Sequence, residues 1–218
     1  ASIFSRSRVR RLYLVLHDDL APRKQRTDYK SLAGAITLIR LLRGAGVEVL
    51  VGFSGLDMIL WKAAGAANVA TGKFFNLRRF DPTRWDAESE GGRILPYWTE
   101  QSLITWLREE DLKLLLDKKL IDRAVAAENP YGAQILELLD NGAGAAWVGL
   151  GWRQYLYWFQ QCESDISKTS SIAEALLLNA DERWAAVERS GVLLFDRDND
   201  GSWIRPWINA IREARGSA

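Results

Sequence analysis

Three ionisable side chains, His17, Asp18 and Asp19, follow directly on an apolar run, LYLVL, at 12–16. An aspartate can serve as general base, nucleophile or metal carboxylate, and a histidine exchanges protons near neutral pH. Each also has an ordinary structural use, the acids as helix caps or ion pairs and the imidazole as a hydrogen-bonded structural group. Two further loops carry groups suited to an anion. Gly52-Phe53-Ser54-Gly55 leads into a helix, where backbone N–H groups and the positive end of a dipole favour phosphate. Thr71-Gly72-Lys73 and the pair Arg78-Arg79 add an ammonium and two guanidinium forks, the latter fitted to bidentate phosphate contact. The plainer account is that Gly52 and Gly55 permit a tight turn and Ser54 caps the helix. A Ser54–His17–Asp18 triad can be written down, but Ser54 lacks the G-x-S-x-G setting. The chain has no complete P-loop or G-x-G-x-x-G.

For these groups to meet, strands must deliver them to one face. The continuous apolar run at 12–16 fits a strand buried on both sides. VEVLV at 47–51 is a second strand and 68–71 a short third; 94–98 is a fourth, which Pro96 confines to an edge. Helices over 29–43, capped by Asp28, and over 56–64 alternate with them. Ser54 and Asp57 have the spacing of a capping box at the start of the second. This alternation predicts a parallel α/β sheet of three to four strands, so the loops after the strand ends share a face. The spacing then predicts helices over 99–108, 110–127, 131–140, 144–162, 171–189 and 206–215. Two domains follow: an α/β domain over 1–108 and a mostly helical one over 109–218, with a β-hairpin near 192–205 before the last helix. Asn199-Asp200-Gly201 is the hairpin's turn signal. The same stretch matches the opening of a calcium loop at Asp196, Asp198 and Asp200, but its twelfth position is Trp207 where a bidentate Glu is needed, so the hairpin is preferred.

The stretch 47–79, VEVLVGFSGLDMILWKAAGAANVATGKFFNLRR, resembles the C-terminal units of phosphate-binding (β/α)₈ (TIM) barrels in its order of strand, Gly-rich turn, helix, strand and Thr-Gly. The resemblance implies the C-terminal half of such a barrel, with phosphate held at the two turns. A half barrel leaves unpaired edge strands, which implies a companion chain or a homo-oligomer. The competing architecture is a small open sheet covered by the helical part.

Composition narrows the function classes. The single cysteine, Cys162, rules out an internal disulfide and a thiolate cluster, and reads as a buried structural thiol. With His17 the only histidine, no zinc site of Cys and His ligands can be built from this chain; Asp18 and Asp19 could hold a divalent metal. No apolar run reaches the roughly 18–20 residues of a membrane span. The start, ASIFSRSRVRR, lacks the apolar core of a signal peptide, so a cytoplasmic location is expected. Net charge is +1, but residues 1–50 hold ten Lys/Arg against four Asp/Glu, including Arg6, Arg8, Arg10 and Arg11. That bias suits phosphate or nucleic acid, or else a solvated or subunit-contact surface. The ten tryptophans are expected to fill cores, with a stacking surface for bases or sugars as the sharper alternative. The expected function is that of an α/β enzyme, or half of one, of hydrolase or transferase type. It would act on a phosphate-bearing ligand (nucleotide, sugar phosphate or nucleic acid), with acid/base groups at the end of the first strand. The alternative is a non-catalytic nucleic-acid-binding or assembly subunit.

Overall fold

The structure is a computed structural model that describes residues 9–82, 94–142 and 144–216. The arginines at 6 and 8 lie outside these residues. The chain divides into two compact units. The first comprises Ala1–Ala87, Cys162–Leu177 and Trp203–Ala218, and the second Glu88–Gln161 and Leu178–Ser202.

The first unit is built on three parallel strands, β1 (Arg11–Val15), β2 (Glu48–Gly52) and β3 (Asn68–Val69), in that spatial order. Arg11 pairs with Glu48 through to Val15 with Gly52, and Val51 pairs with Val69. Helix α1 (Tyr29–Gly44) joins β1 to β2, and α2 (Met58–Ala63) joins β2 to β3. The expected parallel α/β arrangement is therefore present with three strands. Among the described residues the sheet does not close into a barrel.

Helix α1 starts where Asp28 accepts from the Lys30 N–H at 3.1 Å, satisfying a donor that the first turn leaves orphaned. Its buried face is Leu32, Ala33, Ile36, Ile39 and Leu42, at helical spacing. That face packs on α8 (Ile204–Gly216), whose Trp207, Ile208, Ile211 and Ala214 are buried in turn. Each fully buried aliphatic side chain here contributes about 1.5–3 kcal/mol. Arg40 donates to the Ala214 carbonyl at 2.7 Å and so satisfies an acceptor in the last turn of α8. Helix α2 is buried from Met58 to Lys62, apolar except for Lys62 in its last turn. Cys162 is buried among these elements, and its thiol is pushed up to about 12 by burial, with Asp165 and Glu163 adding to the effect. It is thus held as an unreactive thiol.

The apolar run of β1 is not buried on both sides as its pattern predicts. Val49 and Val51 of β2 are 1% exposed, whereas no residue of β1 is buried and Tyr13 is 55% exposed. The reason is position: among the described residues β2 covers one edge of β1 and no strand covers the other.

The second unit holds an antiparallel pair, β4 (Trp98–Glu100) and β5 (Thr105–Leu107), with Thr99 opposite Trp106. The sequence reading placed a strand at 94–98 and a helix over 99–108. The helix loses because Thr105, Trp106 and Leu107 are β-formers that are all buried. The carboxamide of Gln154 completes the pair, accepting from the Thr99 N–H at 2.9 Å and donating to its carbonyl at 2.7 Å. The chain continues through α3 (Glu109–Asp117), α4 (Arg123–Ala127), α5 (Gly132–Asp140), α6 (Val148–Lys168) and α7 (Ser171–Arg189). The single helix expected over 110–127 is broken at Lys119, whose φ of 55° is left-handed, and restarts at Asp122, which caps α4. Tyr155 packs on Trp106, Trp158 and Phe159, with ring centroids 5.8–6.2 Å apart. Trp61, Trp98, Trp147 and Trp207 are each at most 1% exposed, so the tryptophans that decide the packing are core.

The expected hairpin near 192–205 is absent: residues 192–203 form no strand, and the antiparallel hairpin lies at 98–107 instead. Gly201 does take the left-handed conformation the Asp-Gly signal calls for, with φ 76°. The backbone before it, however, is claimed by Asp111 of α3, and the Asn199 side chain by β5. Asp111, fully buried, accepts from the N–H of Phe195 at 2.6 Å and of Asp196 at 3.3 Å. Asn199 donates to the Trp106 carbonyl at 3.0 Å and accepts from the Thr105 hydroxyl. Burial pushes the Asp111 carboxyl above the usual range, and the two N–H donors oppose that rise. Its stabilising share is therefore full at acid pH and diminishes as pH rises through the raised value. Replacing Asp111 by Ala leaves two backbone donors without an acceptor, and urea titration should show a loss of about 2 kcal/mol or more. Asp111→Asn, which keeps one acceptor and removes the buried charge, should lose less and flatten the pH dependence.

Candidate active site at the strand carboxyl ends

Because β1, β2 and β3 are parallel, the segments that follow them emerge together, and side-chain contacts confirm the meeting. Asp18 follows β1, Asp57 closes the turn after β2, and Arg79 ends the loop after β3. Arg26, from the loop between β1 and α1, joins the first two. Its Nε donates to Asp18, its Nη1 to Asp57, and its Nη2 to the Leu16 carbonyl at 2.9 Å. Asp57, 2% exposed, turns its other oxygen to the Gly55 N–H at 2.8 Å. Arg79, 4% exposed, donates to the Ala21 carbonyl at 3.3 Å and stands 3.8 Å from Asp18. The guanidinium of Arg26 also lies over the Trp61 ring, 5.8 Å from its centroid. Two cations and two anions thus form a cluster with no net charge, buried at Asp57 and Arg79 and half-buried at Arg26 and Asp18.

The electrostatics of the two arginines differ. Burial works against the charge of Arg26, but Asp57 and Asp18 outweigh it and hold the group above its ordinary value. Burial lowers Arg79, and the charge of Arg26 lowers it further against the pull of Asp57 and Asp18. Arg26 is the centre of the cluster and Arg79 its weaker outer member. Sequence reasoning missed both Arg26 and Asp57. Arg26 stands among other cations in a basic loop. Asp57 was read as the partner of Ser54 in a capping box. No such box forms: Asp57 makes no cap, and Ser54 donates its hydroxyl to the Val51 carbonyl at 3.3 Å.

The remaining predicted residues separate into framework and surface. Ser54 is 1% exposed and its N–H donates to the Ala70 carbonyl at 2.8 Å, so the N–H groups of Ser54 and Gly55 are both spent inside the protein. Gly52 makes room for the Tyr13 ring, since a Cβ there would come 2.1 Å from its hydroxyl oxygen. Gly72 does the same for Leu77. Arg78, 4% exposed, forks back onto the carbonyls of Gly72 and Lys73, at 3.0 Å each, and clamps its own loop. Thr71 is half-buried. What reaches the surface is His17, Asp19 and Lys73. His17 bridges to Phe80, whose ring lies between those of His17 and Phe53. Lys73 extends over the Phe74 ring at 4.8 Å. No group of three His, Cys, Asp or Glu side chains among the described residues is arranged to hold a metal ion, whether at Asp18 and Asp19 or at Asp196, Asp198 and Asp200.

A second concavity, about 960 Å³, lies at the opposite, amino ends of the strands and is lined by Arg40, Arg43, Lys62 and Lys168 beside Gly and Ala backbone. Arg43, Lys62 and Lys168 each stand in the last turn of a helix, where a cation offsets the negative dipole end. Lys62 is further matched by Glu163 at 3.6 Å and Lys168 by Asp165 at 2.9 Å. These cations are accounted for by the helices that carry them.

Asp57→Ala takes one of three acceptors from Arg26 and the acceptor of the Gly55 N–H, so it should cost about 1–3 kcal/mol in a denaturant titration. Asp19→Ala, at an exposed position, should stay within about 0.5 kcal/mol. Compared with protein-family models, with characterised proteins and with solved structures, the chain gives no match.

Proposed function

We propose that the face at the carboxyl ends of β1–β3 binds a phosphate-bearing ligand, and that this α/β unit is an enzyme, or half of one, whose proton-transfer groups come from the end of β1. The observation that carries the reading is the Asp18–Arg26–Asp57–Arg79 cluster, with Asp57 and Arg79 buried and Asp18 and Arg26 half-buried. Charges withdrawn from water in this way cost more than apolar packing of the same volume. This cluster stands where open α/β sheets bind their ligands, outside the carboxyl ends of the strands. It ties the loops after all three strands into one rigid platform. On that platform Lys73 is the exposed cation positioned to meet a phosphate, with its backbone held by Arg78. His17 and Asp19 are the exposed acid/base groups. Asp18, engaged by Arg26, positions the platform and would have to leave that partner to move a proton itself.

Isothermal titration with inorganic pyrophosphate and with ribose 5-phosphate tests the reading. Binding should weaken roughly tenfold in Lys73→Ala and fall with added salt, while Asp19→Ala binds as the parent does. Absence of binding to either compound at millimolar concentration would sink the proposal.

A second reading, an assembly subunit, draws on one observation, the exposure of an apolar β1 with an edge that no described strand covers. Edge strands of this kind take up a further strand from another chain. Light scattering after size exclusion should then give a mass above 24.6 kDa, reduced by Tyr13→Lys on the exposed strand. A monomer at all concentrations ends this reading.

A further inference from the structure

We infer that Phe53, Phe80 and His17 form a seat for a planar heterocycle, so that the phosphate-bearing ligand is a nucleotide. This rests on the phosphate reading above and names the ligand class within it. The backbone of Phe53 is the first reason. Its φ of 54° lies in the left-handed region, which glycine enters freely and a side chain rarely does. The turn has glycines at 52 and 55, yet the left-handed position between them carries a phenyl ring. The other two left-handed side chains have local explanations. Lys119 directly follows the cap residue of α3, an ordinary helix stop. Ile104 is 1% exposed within the β4–β5 turn and serves the core. Phe53 is only half-buried, at the end of the central strand, on the face where the loops meet. Strain kept at such a place points to use of the side chain.

The second reason is what the ring touches. Phe53 and Phe80 meet edge to face, with centroids 5.2 Å apart and planes at 73°. Phe80 meets His17 in the same way at 5.9 Å and 78°. The three rings form a continuous row across the ends of β2 and β1, half-buried at Phe53 and Phe80 and exposed at His17. Aromatic side chains accept a nucleobase by stacking whatever its sequence identity. The third reason is the loop that supplies Phe80. The same loop carries Lys73, and Arg78 and Arg79 anchor it at both ends of the intervening segment. A ring seat and a phosphate-facing ammonium are thus mounted on one clamped element, the arrangement that a base joined to a phosphate requires.

The experiment compares AMP, adenosine, ribose 5-phosphate and a four-residue single-stranded oligodeoxynucleotide, titrated into the parent protein and into Phe53→Gly and Phe80→Leu. Phe53→Gly relieves the backbone and tests the ring alone; thermal melting confirms that both variants fold. AMP should bind at least tenfold more tightly than ribose 5-phosphate, and both variants should lose that advantage while keeping affinity for ribose 5-phosphate. Tighter binding of the oligonucleotide than of AMP, lost in the same variants, supports the same seat occupied by a residue of a strand. Equal affinity for AMP and ribose 5-phosphate overturns the ring seat and leaves the phosphate reading standing. Adenosine binding as well as AMP keeps the seat and overturns the phosphate reading. Retention of the AMP advantage in both folded variants overturns the assignment of the seat to these rings. If none of the four binds, both readings fall.

Discussion

The first unit depends on how one guanidinium divides its donors. Arg26 gives one nitrogen to Asp18, one to Asp57 and one to the Leu16 carbonyl. A lysine has no such fork and could not satisfy three acceptors in fixed directions. Through Asp18 the fork reaches the end of β1, and through Asp57 it reaches the turn before α2. Arg79 extends the same set of charges to the loop after β3. Parallel strands deliver these segments to one face, but only as flexible loops; the shared guanidinium makes them a surface of defined shape. Trp207 completes the arrangement by donating its indole N–H to the Arg26 carbonyl at 2.8 Å. The loop bearing Arg26 is therefore held from its side chain and from its backbone.

Glycine and aromatic placement around this centre follows one logic. Gly52 and Gly72 are small because Tyr13 and Leu77 need the space. Phe53 keeps its ring where glycine would sit more easily. Arg78 spends its fork on the backbone of its own loop, and Ser54 and Gly55 spend their N–H groups on neighbours. Most of the polar groups near the strand ends are thereby committed to shape, while His17, Asp19 and Lys73 are exposed.

Much of this was readable in the chain, and the misses share a cause. Alternating apolar runs and helical spacing identified β1, β2, β3 and α1, and parallel pairing then placed His17–Asp19, 52–55 and 71–79 on one face. Those are period and connectivity arguments, which need only local sequence. The Arg26–Asp57 contact spans 31 residues, and nothing in the neighbourhood of either side chain marks the other. The Asp-Gly turn at 200–201 was correctly located but wrongly given strands, because the partners of that backbone, Asp111 and Asn199's contacts on β5, lie about 85–94 residues away. The buried stripe of β1 was overstated for a related reason: an apolar run records what a strand can bury, and position at the sheet margin determines what it does bury. The described residues hold a three-stranded parallel sheet and no closed barrel, so the barrel half that the resemblance implied is not confirmed.

The route of the chain through the first unit bears on how it is made. Helix α8 covers the apolar face of α1, and Arg40 is joined to Ala214 across 174 positions. During synthesis the sheet and α1 emerge early, yet the helix that covers α1 emerges only after the residues of the second unit. Closing so long a loop is slow, because its entropy is lost before the contacts form. In the interval Leu32, Ile36 and Ile39 are without the cover that α8 provides. Until α8 arrives, those side chains are apolar surface that the nascent first unit leaves open to water.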